Sequence, residues 1–219
     1  FAYRRLRHAP RLAPLITAIG ASIVLQQVAM MIWSRNPLAF PQIIPNRVFE
    51  IGEATITLVQ IAIIVASIVM MAALTLIVYR TKLGVAMRAT AQNPHIAGLM
   101  GVDINHVIAA TFMLGAALAA VAGVMVGCYY GIAHYTMGSL LGLKAFAAAV
   151  LGGIGNLAGA MLGGMLLGIV EALGAGYIGD LTDNVFGSNY QDVFAFLVLI
   201  AVLVLRPSGL LGERVGERA

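Results

Sequence analysis

Long apolar runs, separated by short polar stretches, dominate the chain. Five of these runs approach the roughly 20 residues that an α-helix needs to cross a bilayer. They are too uniformly apolar for the alternating strands of a membrane barrel. A sixth and shorter run, over residues 139–151, predicts a short buried or re-entrant helix. The five predicted spans cover residues 12–33, 57–79, 107–127, 157–175 and 190–205.

The composition supports an integral membrane protein. Apolar residues make up 61% of the 219, charged residues make up only 10%, and the mean hydropathy is +0.95. A soluble domain carries about 25% charged residues. Only helices and closed barrels satisfy their backbone hydrogen bonds in lipid. We therefore predict an all-α polytopic bundle over residues 1–219, with about five spans plus the short re-entrant or broken helix.

The basic residues orient the predicted spans. Lys and Arg are enriched in the loops on the cytoplasmic side of membrane proteins. Most of the 13 basic residues fall on one side, which we predict to be cytoplasmic, and the net charge of +4 then needs no nucleic acid to explain it. The opposite side carries an outer loop over residues 34–54, where prolines exclude a regular helix. The basic residues on the predicted inner side are Arg4, Arg5, Arg7, Arg11, Arg80, Lys82, Arg88, Arg206, Arg214 and Arg218.

Residues 80–106 form a long polar stretch between two predicted spans. Asn93 followed by Pro94 is typical of a helix start, and Gly101 of a helix end. The pattern predicts a helix to about residue 92, a short helix over 94–100, a glycine stop and a new span capped by Asp103. An ordinary loop between spans is usually shorter, so we interpret this segment as a docking surface for a cytosolic partner.

Asp192, at the start of the fifth run, is assigned to the acidic residues of the outer side. Two other charged residues lie inside the apolar runs, where ionisable groups are functional candidates, here for a translocation pathway. Lys144 and Glu171 carry opposite charges on consecutive segments and can pair, or each can extend separately to the outer interface. Pairing requires a tilted or interrupted first segment, because the two backbone levels differ by roughly 10 Å at about 1.5 Å per residue. Gln26, Gln27 and Gln60 indicate either a weakly polar pathway or hydrogen bonds between helices.

Small residues recur at helical spacing in the fourth predicted span. Such ridges let two helix backbones approach closely in lipid. We predict that Gly155, Gly159 and Gly163 form one packing ridge and that Gly164 and Gly168 belong to a second.

The sequence offers little that is typical of an enzyme or a metal site. The four histidines are scattered without ligand spacing, the single Cys128 excludes an internal disulfide, and no phosphate-binding loop is complete. We therefore predict no catalytic residues, no bound metal and no cofactor.

Several stretches resemble one membrane-protein family. The run from Arg88 to Asn93, continued by Ala97, Leu99, Gly101 and Val102, resembles the coupling-loop motif of bacterial ABC importer permeases. Residues 142–164, reading GLKAFAAAVLGGIGNLAGAMLGG, and residues 207–212, reading PSGLLG, are similar to the branched-chain amino acid permease subunits of the LivH type. The resemblance covers nearly the whole chain, and it implies further N-terminal spans that would precede these residues.

The resemblance implies a single inner-membrane permease domain whose residues 80–106 form a cytoplasmic coupling loop. It implies a pore subunit that works with a second permease, two cytosolic ATPases and a periplasmic solute-binding protein. ATP hydrolysis then resides on the partners. The residues that the resemblance assigns to ATPase coupling are Arg88, Ala89, Ala91, Gln92, Ala97 and Gly101.

Two alternatives stay open at this stage. A secondary transporter or channel for a small polar solute would place carboxylates on its path, and Glu171 alone is available for that role. A membrane scaffold that transports nothing is the other alternative. Uptake that requires an ATPase would separate the three functions.

Overall fold

The computed structural model describes residues 13–45, 47–51, 54–153, 155–178, 190–206 and 208–212. The basic residues predicted before the first span, and Arg214 and Arg218, lie outside these ranges. Two compact units divide the chain after residue 138. Each unit is built mainly from apolar helices.

The first unit contains five helices and four short strands among its described residues. The helices are α1 (Ala13–Trp33), α2 (Leu58–Arg80), α3 (Lys82–Gln92), α4 (Pro94–Leu99) and α5 (Ile104–Tyr130). The helices α1, α2 and α5 are long and apolar enough to cross a membrane. They confirm the first three predicted spans, and α5 extends three residues beyond its prediction at each end.

The strands lie in the loop between α1 and α2 and just after α5. Strand β1 (Leu38–Ala39) pairs antiparallel with β4 (Ile132–Ala133), and β2 (Val48–Ile51) pairs with β3 (Ala54–Thr57). The described part of this loop contains no helix, as predicted, and the strands are an addition that was not predicted. Strand β1 lies between Pro37 and Pro41, and β2 and β3 follow Pro45, where no proline interrupts the strand pairing.

Three polar caps set the helix boundaries around the polar stretch. Thr81 ends α2 by donating to the Ile77 carbonyl at 2.6 Å, and starts α3 by accepting from the Gly84 N–H at 3.1 Å. The Asn93 side chain accepts from two N–H groups of α4, and Asp103 does the same for α5. Gly101, with φ of +84°, closes α4. The predicted helix, short helix, glycine stop and new helix are confirmed.

The described residues of the second unit form three helices and the segments that join them. Helix α6 (Met137–Gly152) begins at the boundary, α7 (Leu157–Leu173) continues into a π-helical turn (Gly174–Ile178), and α8 (Gln191–Leu205) follows. The directions of α6 and α7 differ by 119°, as in a broken span or re-entrant loop. This supports the re-entrant prediction for residues 139–151. Helices α7 and α8 are apolar but shorter than a full span.

Glycines bring α6 and α7 into backbone contact. Gly159 packs on the carbonyl of Gly152, and Gly163 packs on the carbonyl of Ala148. These contacts confirm that both glycines lie against another helix. Gly164 is in looser contact with the Ala148 side chain, and no described atom approaches Gly168. The prediction that Gly155 belongs to the ridge is wrong, because Gly155 precedes α7 and adopts φ of +97° in the turn.

A short segment after α8, residues 208–212, packs on the turn between α6 and α7; we call it the clamp segment. Its Leu210 N–H donates to the Leu151 carbonyl at 2.9 Å, and its Leu211 N–H donates to the Gly152 carbonyl at 3.0 Å. The Asn156 side chain donates to the Leu211 carbonyl at 3.0 Å. The clamp segment therefore supplies donors to carbonyls at the end of α6, which have no partner within the helix.

Candidate functional site

The helix pair α3–α4 is the first candidate site. The cap at Thr81 joins α3 to the end of α2, and Gly84 is buried against the carbonyls of Val78 and Ile77. A side chain at position 84 has no room there, so α3 turns back closely on α2. The Arg88 guanidinium lies 5.2 Å from the centre of the Tyr79 ring, in a cation–π contact between the same two helices.

The predicted coupling residues differ in their access to a partner. Four are exposed and Ala89 is half-buried, whereas Ala97 is only 4% exposed. The Ala97 methyl group packs inside the first unit and presents no surface of its own, so its assignment to ATPase coupling stays a prediction. The four exposed residues are Arg88, Ala91, Gln92 and Gly101.

Sequence reasoning named Leu99 in the motif but assigned no coupling role to the large apolar side chains of this helix pair. Leu99 is 75% exposed and Met100 is 80% exposed, directly before the glycine that ends α4. Val85 and Ile96 are also exposed on the same helix pair. The available signal was the presence of large apolar side chains within a polar stretch on the predicted cytoplasmic side. On an aqueous side, exposed apolar side chains of this size are typical of a surface that contacts another protein, so they add to the docking hypothesis, which stays a prediction.

A charged triad in the second unit is the next candidate. Lys144 Nζ lies 3.0 Å from Glu171 Oε2 and 2.7 Å from Asp192 Oδ1. The side chains are 17%, 17% and 33% exposed, respectively. The predicted pairing of Lys144 with Glu171 is confirmed. The required interruption falls in the sharp turn after α6, while α6 itself is a continuous helix.

Asp192 is the member that sequence reasoning missed. It lies in the first turn of α8 and had been placed with the acidic residues of the outer side. Its position in the sequence could have revealed it. Glu171 lies near the end of α7, and Asp192 lies in the first turn of α8, so the two carboxylates are at the ends where these helices meet on the predicted outer side. The three residues join α6, α7 and α8, beside the small core of Ala147, Leu167 and Ala195.

The triad has an unbalanced charge. One ammonium faces two carboxylates, and Glu171 Oε1 is buried without a hydrogen bond among the described groups. The Asp192 contact is an ion pair that lacks hydrogen-bond alignment. The arrangement holds three helices together through a single cation.

The predicted pathway glutamines make local hydrogen bonds. Gln26 Nε2 donates to Ser22 Oγ at 3.2 Å within α1. Gln60 Oε1 accepts from the Thr57 N–H at 2.9 Å and completes a capping box at the start of α2. Gln27 is exposed on α1. These contacts assemble no common polar path within the described part of the first unit, so the pathway role stays a prediction.

The fold is that of a polytopic helical membrane protein with a capped pair of short helices between two of its spans. The chain belongs to the family described as branched-chain amino acid transport system / permease component, which matches residues 1–203. As a member of that family it is a multi-pass protein of the bacterial inner membrane.

Curated relatives share most of the chain. It is 48% identical over 217 residues to the high-affinity branched-chain amino acid transport system permease protein BraD of Pseudomonas aeruginosa, covering 97% of this chain and 68% of the relative. It is 42% identical to LivH of Escherichia coli K12 with the same coverage of both chains. A probable LivH of Methanocaldococcus jannaschii is 34% identical over 66% of this chain and 45% of that relative. No solved structure matches the chain.

Proposed function

We propose that this chain is the pore-forming permease subunit of an ATP-driven importer of branched-chain or related amino acids. The observation that supports this proposal most directly is the α3–α4 helix pair, which exposes Leu99 and Met100 on the predicted cytoplasmic side. The names of its relatives support the substrate class. The transporter would contain a second permease subunit, two cytosolic ATPases and a periplasmic solute-binding protein. The ATPases hydrolyse ATP, so this chain needs no catalytic residue or cofactor.

The caps suggest how the helix pair transmits motion. Helix α3 is fixed to α2 by Thr81 and Gly84, and α4 is fixed to α5 by the Gly101–Asp103 turn. A partner that displaces the pair therefore pulls on two membrane helices together. Coupling requires that the ATPases contact the pair differently in their open and closed states.

Acidic residues at the tip of α4 should separate the permease from its ATPase. We expect Leu99→Asp combined with Met100→Asp to weaken ATPase binding about thirtyfold or more, because a large apolar contact at the centre of an interface contributes about 2 kcal/mol or more. Titration of the purified ATPase onto the permease in nanodiscs measures the affinity. Leucine uptake by the complete transporter should fall in parallel.

The matched control is Leu99→Met, which keeps the volume and apolar character and should bind and transport like the unmodified protein. Unchanged ATPase affinity and uptake in the double acidic variant would contradict the docking role. Leucine uptake that persists when the partner ATPase is catalytically inactive would instead favour a secondary transporter or channel.

A further inference from the structure

A cavity of about 360 Å³ lies in the first unit, where α2 begins and α5 ends. By the charge asymmetry of the loops this is the outer end of both helices. Small-molecule sites typically occupy about 300–1,000 Å³, so the volume suits a small solute. The cavity includes Gln60, which the sequence had marked as a pathway candidate.

One wall of the cavity is mainly apolar, with Gln42 as its polar member. Phe40, Ile43 and Ile44 come from the outer loop, and Val59 comes from the first turn of α2. Phe40 is held in place on both sides, since its N–H donates to the Gly131 carbonyl at 2.9 Å and its ring packs against Gly127. A branched aliphatic side chain matches such a wall.

The start of α2 supplies hydrogen-bond donors to the cavity. The capping box occupies Gln60 Oε1, so the amide NH₂ of Gln60 is left to donate. The Thr57 hydroxyl accepts from the Gln60 N–H and keeps its own proton for donation. The Val59 N–H has no assigned acceptor among the described residues. These groups, together with the positive end of the helix dipole, favour a carboxylate.

The end of α5 supplies acceptors to the same cavity. The Gly127 carbonyl is used by the Gly131 N–H, whereas the carbonyls of residues 128–130 receive no backbone donor from the described chain. They form the negative end of the α5 dipole, which favours a cation such as an ammonium group. Cys128, Tyr129 and Tyr130 all line the cavity.

We propose that this cavity binds the zwitterionic form of an aliphatic α-amino acid on the outer face of the permease. The carboxylate faces the start of α2 and Gln60, the ammonium group faces the carbonyls that end α5, and the side chain lies against Phe40 and Ile43. The inference rests on the proposed transport function, since it names a binding site for the same class of substrate.

Cys128 provides a direct probe, because it is the single cysteine of the sequence and lines the cavity. Right-side-out vesicles with the complete transporter are treated with a small membrane-impermeant thiol reagent, and modification of this chain is followed by mass spectrometry. Leucine at about ten times its dissociation constant should slow labelling about tenfold, because labelling follows the empty fraction. Leucinamide and 4-methylpentanoate, which each lack one charge, should protect far less.

Two variants test the wall and the polar end separately. Gln60→Glu keeps the oxygen that caps α2 but places a negative charge beside the carboxylate, and should weaken leucine protection about tenfold or more. Ile43→Trp should fill the cavity and abolish protection. The control Ile64→Trp changes an exposed apolar residue of α2 that does not line the cavity, and should leave protection unchanged.

The outcomes separate this site from the transport function. ATP-dependent leucine uptake with no protection of Cys128 would overturn the site and leave the proposed function standing. Absence of ATP-dependent uptake would overturn the proposed function. Equal protection of Cys128 by leucine, leucinamide and 4-methylpentanoate would show that the cavity binds the apolar side chain without recognising the two charges of the amino acid. That result would also overturn the proposal.

Discussion

Gly163→Leu is expected to prevent the second unit from folding. A Cβ at position 163 would collide with the Ala148 carbonyl and lie 2.8 Å from the Gly152 nitrogen. These are backbone atoms of α6, which cannot rotate away as a side chain can. Inserting bulk into a packed interior typically costs about 1–3 kcal/mol, and a rigid backbone neighbour places this variant at or above the upper end. Yield of monodisperse protein and its thermal unfolding in detergent measure the loss.

Gly168→Leu is the matched control on the same helix. No described atom lies within 4 Å of a Cβ built at Gly168, and the residue is exposed. This variant should therefore keep the yield and melting temperature of the unmodified chain. If Gly163→Leu were as stable as Gly168→Leu, the close approach of α6 and α7 would be refuted.

Lys144→Met is expected to destabilise the second unit by about 3 kcal/mol, the lower end of the range for removing one partner of a buried ion pair. The lower end applies because the side chains of the triad keep partial access to solvent. The variant leaves Glu171 and Asp192 facing each other without their shared cation. The change in unfolding free energy, measured with denaturant in mixed micelles, checks the magnitude.

Additional neutral substitutions should restore stability stepwise. Adding Glu171→Gln to Lys144→Met should recover part of the loss, and adding Asp192→Asn should recover most of the remainder, because no isolated charge is left. Lys82→Met is the control, since Lys82 is exposed on α3. Strictly additive losses in the double and triple variants would show that the three charges do not interact.

The helices could be predicted from the sequence because local features define their ends. Asn93, Asp103 and Thr57 each cap a helix through their own side chain, and Gly101 adopts the positive φ that stops α4. These interactions join residues within four positions of each other, so the local sequence is enough to predict them. Strands β1 and β4 escaped prediction because they pair residues about 95 positions apart along the chain. Strands β2 and β3 pair locally, and they were missed because the outer loop was considered only for helix.

The candidate sites depend on contacts between distant residues, and were predicted only in part. The Lys144–Glu171 pair was accessible because two opposite charges stood alone in apolar runs. Asp192 was missed because its partner lies two helices away. The side-chain burial of Ala97 and the exposure of Leu99 depend on how α4 packs, which the alternation of polar and apolar residues does not specify over a six-residue helix.

The clamp segment also sets the order in which the protein matures during synthesis. Residues 208–212 leave the ribosome only after α6, α7 and α8 have been made. Until then, the carbonyls of Leu151 and Gly152 lack the hydrogen bonds that the N–H groups of Leu210 and Leu211 later donate. A buried carbonyl without a donor costs about 1–3 kcal/mol. The turn between α6 and α7 therefore gains these two hydrogen bonds last, after α8 has been synthesised.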